Sequence, residues 1–308
     1  MIIATSLVRS LGKIGLSLID IPEAKLIAEY LMLQKRSAQV QSWIEAAEED
    51  GRVHGRVNPI GAVTGRMTHS NPNMAQVPAS YSPYGTECRQ CWIVPKGYKL
   101  VGIDAAGLEL RMLAHYMNDE EYTHEVTHGD VHTANQKAAG LSTRDNAKTF
   151  IYAFLYGAGD AKIGSVVGGS KRDGAKLKEK FLTNTPSLRT LRERVLRATK
   201  RGHLRGLDGR RLIVRSEHAA LNTLLQSAGA VIMKKALTIL DEYAIIHSMD
   251  YRFVGNIHDE FQVEVKEAHA EKFGWLAVEC IKAAGTRMEL KCPLDGEYKV
   301  GDNWASTH

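Results

Sequence analysis

Arg144, Lys148, Tyr152 and Tyr156 are spaced four apart within the stretch RDNAKTFIYAFLYG. On an α-helix a step of four residues advances by only about 40°, so these four drift slowly along one face. Two cations one turn apart form a ladder for neighbouring phosphate groups. The two phenol rings beyond them are flat surfaces against which other groups can lie. A ligand with a polyphosphate at one end and a sugar or base at the other fits that order. The same spacing also describes an amphipathic helix with a solvated basic edge and two core tyrosines, and spacing alone leaves both readings open. GAG, directly after Tyr156, ends the helix and lets a backbone or a ligand come close.

A second set of residues is acidic. Asp104 closes the apolar segment YKLVGID, and Asp259 with Glu260 sits between two apolar runs in NIHDEFQV. An acidic pair at such a turn is ordinarily just a polar turn. Two carboxylates on separate strands that converge would hold hard cations through oxygen ligands. Two Mg²⁺ ions about 4 Å apart would then activate an attacking oxygen and steady a leaving one in phosphoryl transfer. Whether the acids converge is settled by folding.

The elements that must position these groups are legible in outline. Residues 22–50 carry helical periodicity in Leu26, Ile27, Tyr30, Leu31, Leu33, Trp43 and Ile44. From Gly51 to Pro95, Gly, Pro, Asn and Thr imply short strands and turns. YKLVGID reads as a strand and AGLELRMLAHYM as a helix. Residues 120–201 read as mostly helical, interrupted by the Gly-rich GAGDAKIGSVVGGS. One long helix follows in AALNTLLQSAGAVIMKKALTILDEYAIIH, then strand, tight turn and strand over 251–265, a further helix and a short tail. Helices with a small sheet whose strands are far apart in sequence predict an α+β fold.

Composition bounds the rest. The chain has 308 residues, 44% hydrophobic and 24% charged, with a net charge of +5, which permits an anionic partner without requiring one. Basic clusters stand at Lys171–Lys180, Arg189–Arg201 and Leu207–Arg215. Cys88 and Cys91 form one C-x-x-C without a second pair, and Cys280 and Cys292 stand alone. That pattern argues against zinc and against a disulfide framework. No run is read as approaching the roughly 18 apolar residues of a membrane span. The first 20 residues read as a helix and not an export signal, and a reducing, cytoplasmic location is expected.

Four blocks in order resemble the family A DNA polymerases, the group of bacterial DNA polymerase I and the replicative polymerases of T-odd phages, with the phage branch nearer. TGRMTHSNPNMAQVP is similar to the primer–template segment and GIDAAGLELR to the first metal motif. RDNAKTFIYAFLYG is similar to the nucleotide-binding helix and IHDE to the second metal motif. GDVHTAN and HAALNTLLQSAGA support the match, which runs from about Ile27 to the C-terminus. The resemblance implies a right-hand polymerase palm, a small antiparallel sheet with flanking helices, carrying an inserted helical fingers subdomain. It implies a thumb-base remnant at 1–50, palm at 51–118, fingers at 119–205 and palm again at 206–308.

The resemblance also implies roles. Asp104 and Asp259, with the Ala105 carbonyl, would hold two Mg²⁺ ions, for which Mn²⁺ can substitute. His132, Arg144 and Lys148 would hold the incoming triphosphate, Lys148 also protonating the leaving group. Tyr152 would lie over sugar and base, its hydroxyl favouring use of dideoxynucleotides. Glu109 and Tyr156 would wall off a ribose 2′-OH. Arg66, Asn222, Gln226 and His258 would touch primer and template, Arg66 and Gln226 through the minor groove. Glu260 would support the metal site. His115, His124, His128 and Asp130 read as surface. Asn73 and Gln76 face the template or cap turns, and the Arg189–Arg201 helix is a candidate for template phosphates.

The implied activity is template-directed DNA synthesis from dNTPs on primer–template DNA, in phage replication and so in a host-cell cytoplasm. Most of the family's thumb and its 3′–5′ exonuclease domain have no counterpart here. Weak DNA binding, steep salt sensitivity and short products are therefore expected, with a second polypeptide as a candidate source of the missing parts. The alternatives are an inert remnant that only binds primer–template, against which the complete motifs speak, and a single-subunit RNA polymerase, against which Glu109 and IHDE speak.

Overall fold

A computed structural model describes residues 21–308; the helix expected over the first 20 lies outside the described residues. The described residues divide into two units, 21–57 with 69–91, and 58–68 with 92–308.

In the first unit, α1 (Pro22–Glu45) starts on a proline at its first turn, where the missing N–H goes unneeded. The periodicity predicts the helix correctly but not its buried face. Ala24, Ala28 and Trp43 are buried, with Ile27 and Leu31 packed beside the two alanines, while Leu26 and Tyr30 are exposed. Gln39 Nε2 donates to the Gln76 carbonyl at 2.8 Å and Arg36 Nε to that of Pro83 at 3.3 Å. Strands β1 (Arg56–Asn58) and β2 (Thr68–Ser70) pair as a short ribbon. A six-residue helix, α2 (Gly85–Gln90), forms where only strands and turns are expected. Its buried Arg89 donates to the Pro78 carbonyl at 2.9 Å. A Cβ on Gly85 would lie 1.8 Å from the Ala79 carbonyl oxygen, so this glycine permits backbone contact rather than a turn.

The second unit is built on β3 (Tyr98–Ala105), in which Val101 and Ile103 are fully buried. Around it lie nine α-helices, in chain order α3 (Leu108–Met117), α4 (Glu120–Thr127), α5 (Val131–Ala139), α6 (Arg144–Leu155), α7 (Asp160–Val166), α8 (Lys171–Asn184), α9 (Pro186–Thr199), α10 (Ala220–Ile246) and α11 (Ala270–Arg287), with 3₁₀ turns at Glu217–Ala219 and Glu267–His269 leading into α10 and α11. A hairpin of β4 (His203–Arg205) and β5 (Arg211–Ile213) follows α9. Strands β6 (Tyr251–Ile257), β7 (Glu260–Lys266) and β8 (Gly296–Gly301) join β3 in an antiparallel sheet of order β6-β7-β3-β8. The short C-terminal tail thus supplies an edge strand.

Helix α6 has the solvated basic edge of an amphipathic helix, but its tyrosines are not core residues: Tyr152 is half-buried and Tyr156 is 49% exposed. Thr143 caps it, accepting from the Asn146 N–H at 3.1 Å. Ala147, Phe150, Ile151 and Phe154 form a buried stripe, whereas Arg144 and Lys148 are exposed. Phe150 and Phe154 meet Phe181 of α8 edge to face, with centroids 5.1 and 5.5 Å away. The helix is amphipathic, and its polar side is free to meet a ligand. The glycines of GAGDAKIGSVVGGS do not only interrupt helix. A Cβ on Gly164 would meet the Ser170 carbonyl oxygen at 2.0 Å, and one on Gly174 that of Asp160 at 1.9 Å. These glycines let α7 form and lie tightly against α8. Helix α10 packs against α3 and α11. The stretch Glu217–Ile246 is long and apolar enough to cross a membrane by length and composition, but 61% of its 18-residue apolar window is buried in the protein, as in a core helix.

Candidate active site

The two acids expected to converge do so. Asp104 is the penultimate residue of β3 and pairs in register with Glu260 of β7 on one side and Glu297 of β8 on the other. Asp259 lies in the two-residue turn between β6 and β7. Its carbonyl accepts from the Ala105 N–H at 3.1 Å, which ties the turn to the end of β3 across more than 150 residues of chain. His258, the other turn residue, has φ of +60°. That conformation costs a non-glycine residue on the order of 1 kcal/mol or more, and is found where function holds it in place.

The electrostatics of this corner are one-sided. Burial, followed by repulsion from Asp259, Glu260 and Glu297, raises the Asp104 carboxyl to about 7. Glu260 behaves differently. Burial alone would raise it, but donors from His308, Gln262 and Trp304 outweigh that and lower it. Its Oε1 accepts from Trp304 Nε1 at 2.8 Å and from Gln262 Nε2 at 2.5 Å, and its Oε2 lies 3.1 Å from His308 Nδ1. With its oxygens so engaged, Glu260 supports the corner from behind. The sequence gives no sign of Trp304 and His308 as its partners, because only the pairing of β8 brings the tail here.

A second cluster centres on Glu109, in the first turn of α3. Tyr156 Oη, at the end of α6, donates to its two carboxylate oxygens at 3.1 and 3.2 Å. Arg66 Nη2 reaches Glu109 Oε1 at 3.4 Å. Burial and the Glu109 charge push the Tyr156 phenol up to about 12, so it remains a donor to that carboxylate.

A third group lies on the cationic side of α6. The His132 and Tyr152 rings lie 6.3 Å apart between centroids. Burial, then the charges of Arg144 and Lys148, lower the His132 imidazole, and its Nδ1 is buried with no hydrogen-bond partner. Burial, then Glu109 and Asp259, raise the Tyr152 phenol, which places this ring within the field of both acidic groups. Arg144 is held by Asp130, whose oxygens accept from its Nε at 2.7 Å and its Nη2 at 3.1 Å. Asp130 also caps α5. Read from sequence as plain surface, it is therefore the residue that aims Arg144. The signal available was its position just before the helix bearing His132.

Other candidates are placed less directly. Asn222 and Gln226 are half-buried one turn apart on α10. Further along that helix, Ala230, Met233 and Lys234 line a small pocket with Arg66, Met67, Asn256 and His258. Arg189 is engaged by Glu179 at 2.8 Å, while Arg192 lines a cavity with Gly157, Ala158, Lys178 and His218 behind the end of α6. His115 accepts from the Lys291 N–H at 3.1 Å, a structural contact. His124 and His128 stack on each other at 5.3 Å. Asn73 offers its 3₁₀ turn no side-chain cap. Among the described residues no group of three or more His, Cys, Asp and Glu side chains could hold a metal ion.

Comparison with known proteins bears on this arrangement. The profile of DNA polymerase family A matches residues 10–306. The DNA-directed DNA polymerases of Enterobacteria phage T3 and Escherichia phage T7 are each 46% identical over 94% of this chain and 47% of their own length. DNA polymerase I of Pseudomonas aeruginosa is 26% identical over 94% of this chain and 34% of its own. The chain thus spans about half the length of the phage relatives. Among solved structures, the POL domain of Pol1 from M. smegmatis, in complex with DNA primer-template and dNTP, superposes with a TM-score of 0.81 over 92% of this chain and 53% of that one, at 24% identity. That likeness concerns the fold.

Proposed function

The chain belongs to DNA polymerase family A, and from that premise we propose that it extends a DNA primer on a template, using dNTPs and releasing pyrophosphate. The observation that carries the reading is the meeting of Asp104 and Asp259 at one end of the sheet, with the Arg144, Lys148 and His132 group in the same unit. In this reading the sheet and its flanking helices are the palm, at 51–118 and 206–308. Residues 119–205 are the fingers, and 1–50 the base of a thumb.

The donor set suits Mg²⁺. Burial, and then the like charges of Asp259, Glu260 and Glu297, raise the Asp104 carboxyl to about 7, a load that a cation would relieve. Mg²⁺ is commonly held by one or two carboxylates together with substrate phosphates and waters, which agrees with two acids and no third side-chain ligand among the described residues. Asp104, Asp259 and the Ala105 carbonyl would hold two such ions, which when bound would supply Lewis-acid stabilisation of the attacking and leaving oxygens.

The protein groups do the rest. Arg144, aimed by Asp130, and Lys148 one turn on bind the triphosphate and neutralise charge as it moves onto the leaving pyrophosphate. Lys148 would also give that group a proton. His132, kept neutral by its surroundings, donates a hydrogen bond without adding charge. The Tyr152 ring carries the sugar and base. Glu109, held by Tyr156 and Arg66, forms the wall at the sugar's 2′ carbon. A 2′-OH would collide there or disturb the paired carboxylate, which favours deoxynucleotides. Arg66, Asn222, Gln226 and His258 face the primer–template. A second polypeptide supplying thumb or exonuclease functions belongs to the same proposal, as does action in the cytoplasm of a phage-infected host.

The test is primer extension with and without Mg²⁺, by the chain and by Asp104→Ala. The chain should extend the primer only with the metal, and Asp104→Ala should lose at least about a hundredfold in rate, as removal of a transition-state contact does. Synthesis that survives either chelation or the substitution would remove the basis of the reading.

A further inference from the structure

The turn that carries Arg66 is pinned by a residue with no role in the site so far. Lys234 lies on α10, about two turns beyond Gln226. Its ammonium donates to the Pro59 carbonyl and to the Gly65 carbonyl, each at 2.5 Å. The Gly65 oxygen belongs to the same planar peptide unit as the Arg66 N–H. Fixing that oxygen therefore fixes the plane from which the Arg66 side chain leaves the backbone.

The turn is tight by itself. Gly65 N–H donates to the Ala62 carbonyl at 2.8 Å, and Ala62 N–H to that of Arg66 at 3.2 Å. Gly65 has φ of +77°, so a side chain there would be strained, and a Cβ would come within 2.7 Å of Arg210 Nη1, which would have to move. Internal bonds set the shape of such a turn, but not where it sits. Among the described residues its placement against α10 comes from Lys234. From that position Arg66 reaches Glu109 at 3.4 Å, and Lys234, Arg66, Asn256 and His258 line one small pocket. Among the described residues no ion pair joins Lys234 to a carboxylate; Asp208, whose charge acts on it, is taken by Arg210 at 2.6 Å. The work of the ammonium is to donate to backbone.

We propose that Lys234 is a positioning residue for primer-terminus recognition: by holding the Pro59 and Gly65 carbonyls it aims Arg66 at the minor-groove edge of the terminal base pair. The proposal rests on the reading of Arg66 as a primer–template residue. A correct pair presents acceptors at fixed places in the minor groove, and an arginine aimed at them rewards matched termini. A shift of about 1 Å in a positioning group can cost up to a hundredfold in rate.

The experiment compares extension of matched and terminally mismatched primers by the full chain and by Lys234→Met, Arg66→Ala and the double variant, with Lys234→Arg as the conservative control. Lys234→Met and Arg66→Ala should each lower the matched-to-mismatched ratio about tenfold. The double variant should be no worse than Arg66→Ala alone, because Lys234 acts through Arg66. Lys234→Arg, which keeps donors at the site, should recover most of the ratio. If Arg66→Ala leaves the ratio intact, the reading of Arg66 fails and the proposal with it. If Arg66→Ala lowers it but Lys234→Met does not, or if the two losses multiply in the double variant, only the proposal fails. Should Lys234→Met melt below the assay temperature, Lys234→Gln, which retains two N–H donors without the charge, takes its place with a partial loss expected and an unchanged ratio counting against.

Discussion

Asp104, proposed as a metal ligand, shows how such a residue would work against the fold that carries it. Its carboxyl is raised to about 7 by burial and by Asp259, Glu260 and Glu297, whereas in an unfolded chain it would titrate near its usual value of about 3.9. The folded state therefore holds the proton more tightly than the unfolded state. The stability linked to that proton is fully present below the unfolded value and is lost as pH rises through about 7. At pH 8 without metal, the charged carboxylate burdens the native state in full. Asp104→Asn removes the charge while nearly keeping the shape. In EDTA at pH 8 the variant should melt a few degrees above the parent, on the scale of roughly 2–4 °C per kcal/mol for a unit of this size. The gain should shrink as the pH is lowered toward 5. Thermal melts at the two pH values check this, and a gain that is absent at pH 8, or that grows on acidification, would mean that like charges do not load the site. The stabilised variant should be inactive, a trade-off common at strained sites.

At the scale of elements, the sequence was informative where a single pattern decides and silent where tertiary contact decides. Helix α6 could be read from its spacing, and so could the hairpin bearing Asp259 from two apolar runs around a tight turn. Helix α2 escaped notice because its glycine start looks like a turn, and its reason lies in the close approach to Ala79. Strand β8 escaped because a short alternating run gains meaning only beside β3. Asp130 was missed for the same reason, since its partner Arg144 is on another helix. The two faces of α6 make separable contributions. Phe181 is fully buried against Phe150 and Phe154, so Phe181→Ala should cost about 3–5 kcal/mol. Lys148 is exposed, and Lys148→Ala should change stability by no more than about 0.5 kcal/mol while sharply reducing nucleotide incorporation. Urea unfolding and single-nucleotide extension on both variants separate these effects. A large stability loss in Lys148→Ala would place that side chain in the packing and not at the ligand.

For the whole molecule, the net charge of +5 conceals its distribution. Residues 171–215 hold such an excess of Lys and Arg over Asp and Glu that the rest of the chain is net negative. Part of this excess is neutralised locally, as in Lys178 with Asp160, Arg189 with Glu179 and Arg210 with Asp208. Arg205 and Arg211 face each other across β4 and β5, both exposed, and like charges in that position are destabilising unless an anion lies between them. A surface of this kind binds nucleic acid by displacing counterions, and each phosphate contact steepens the dependence on salt. The segments proposed to meet the primer terminus would contribute contacts that salt screens less, because they are partly buried. Raising salt from 50 to 200 mM should therefore weaken primer–template binding by about 10³-fold or more if six or more phosphates are contacted. Replacing Arg205 and Arg211 together by Gln should flatten the slope of log affinity against log salt by nearly two units, with the rate of incorporation at saturating DNA unchanged. Fluorescence anisotropy across a salt series measures the slope, and an identical slope in the double variant would show that template phosphates do not pass over this hairpin.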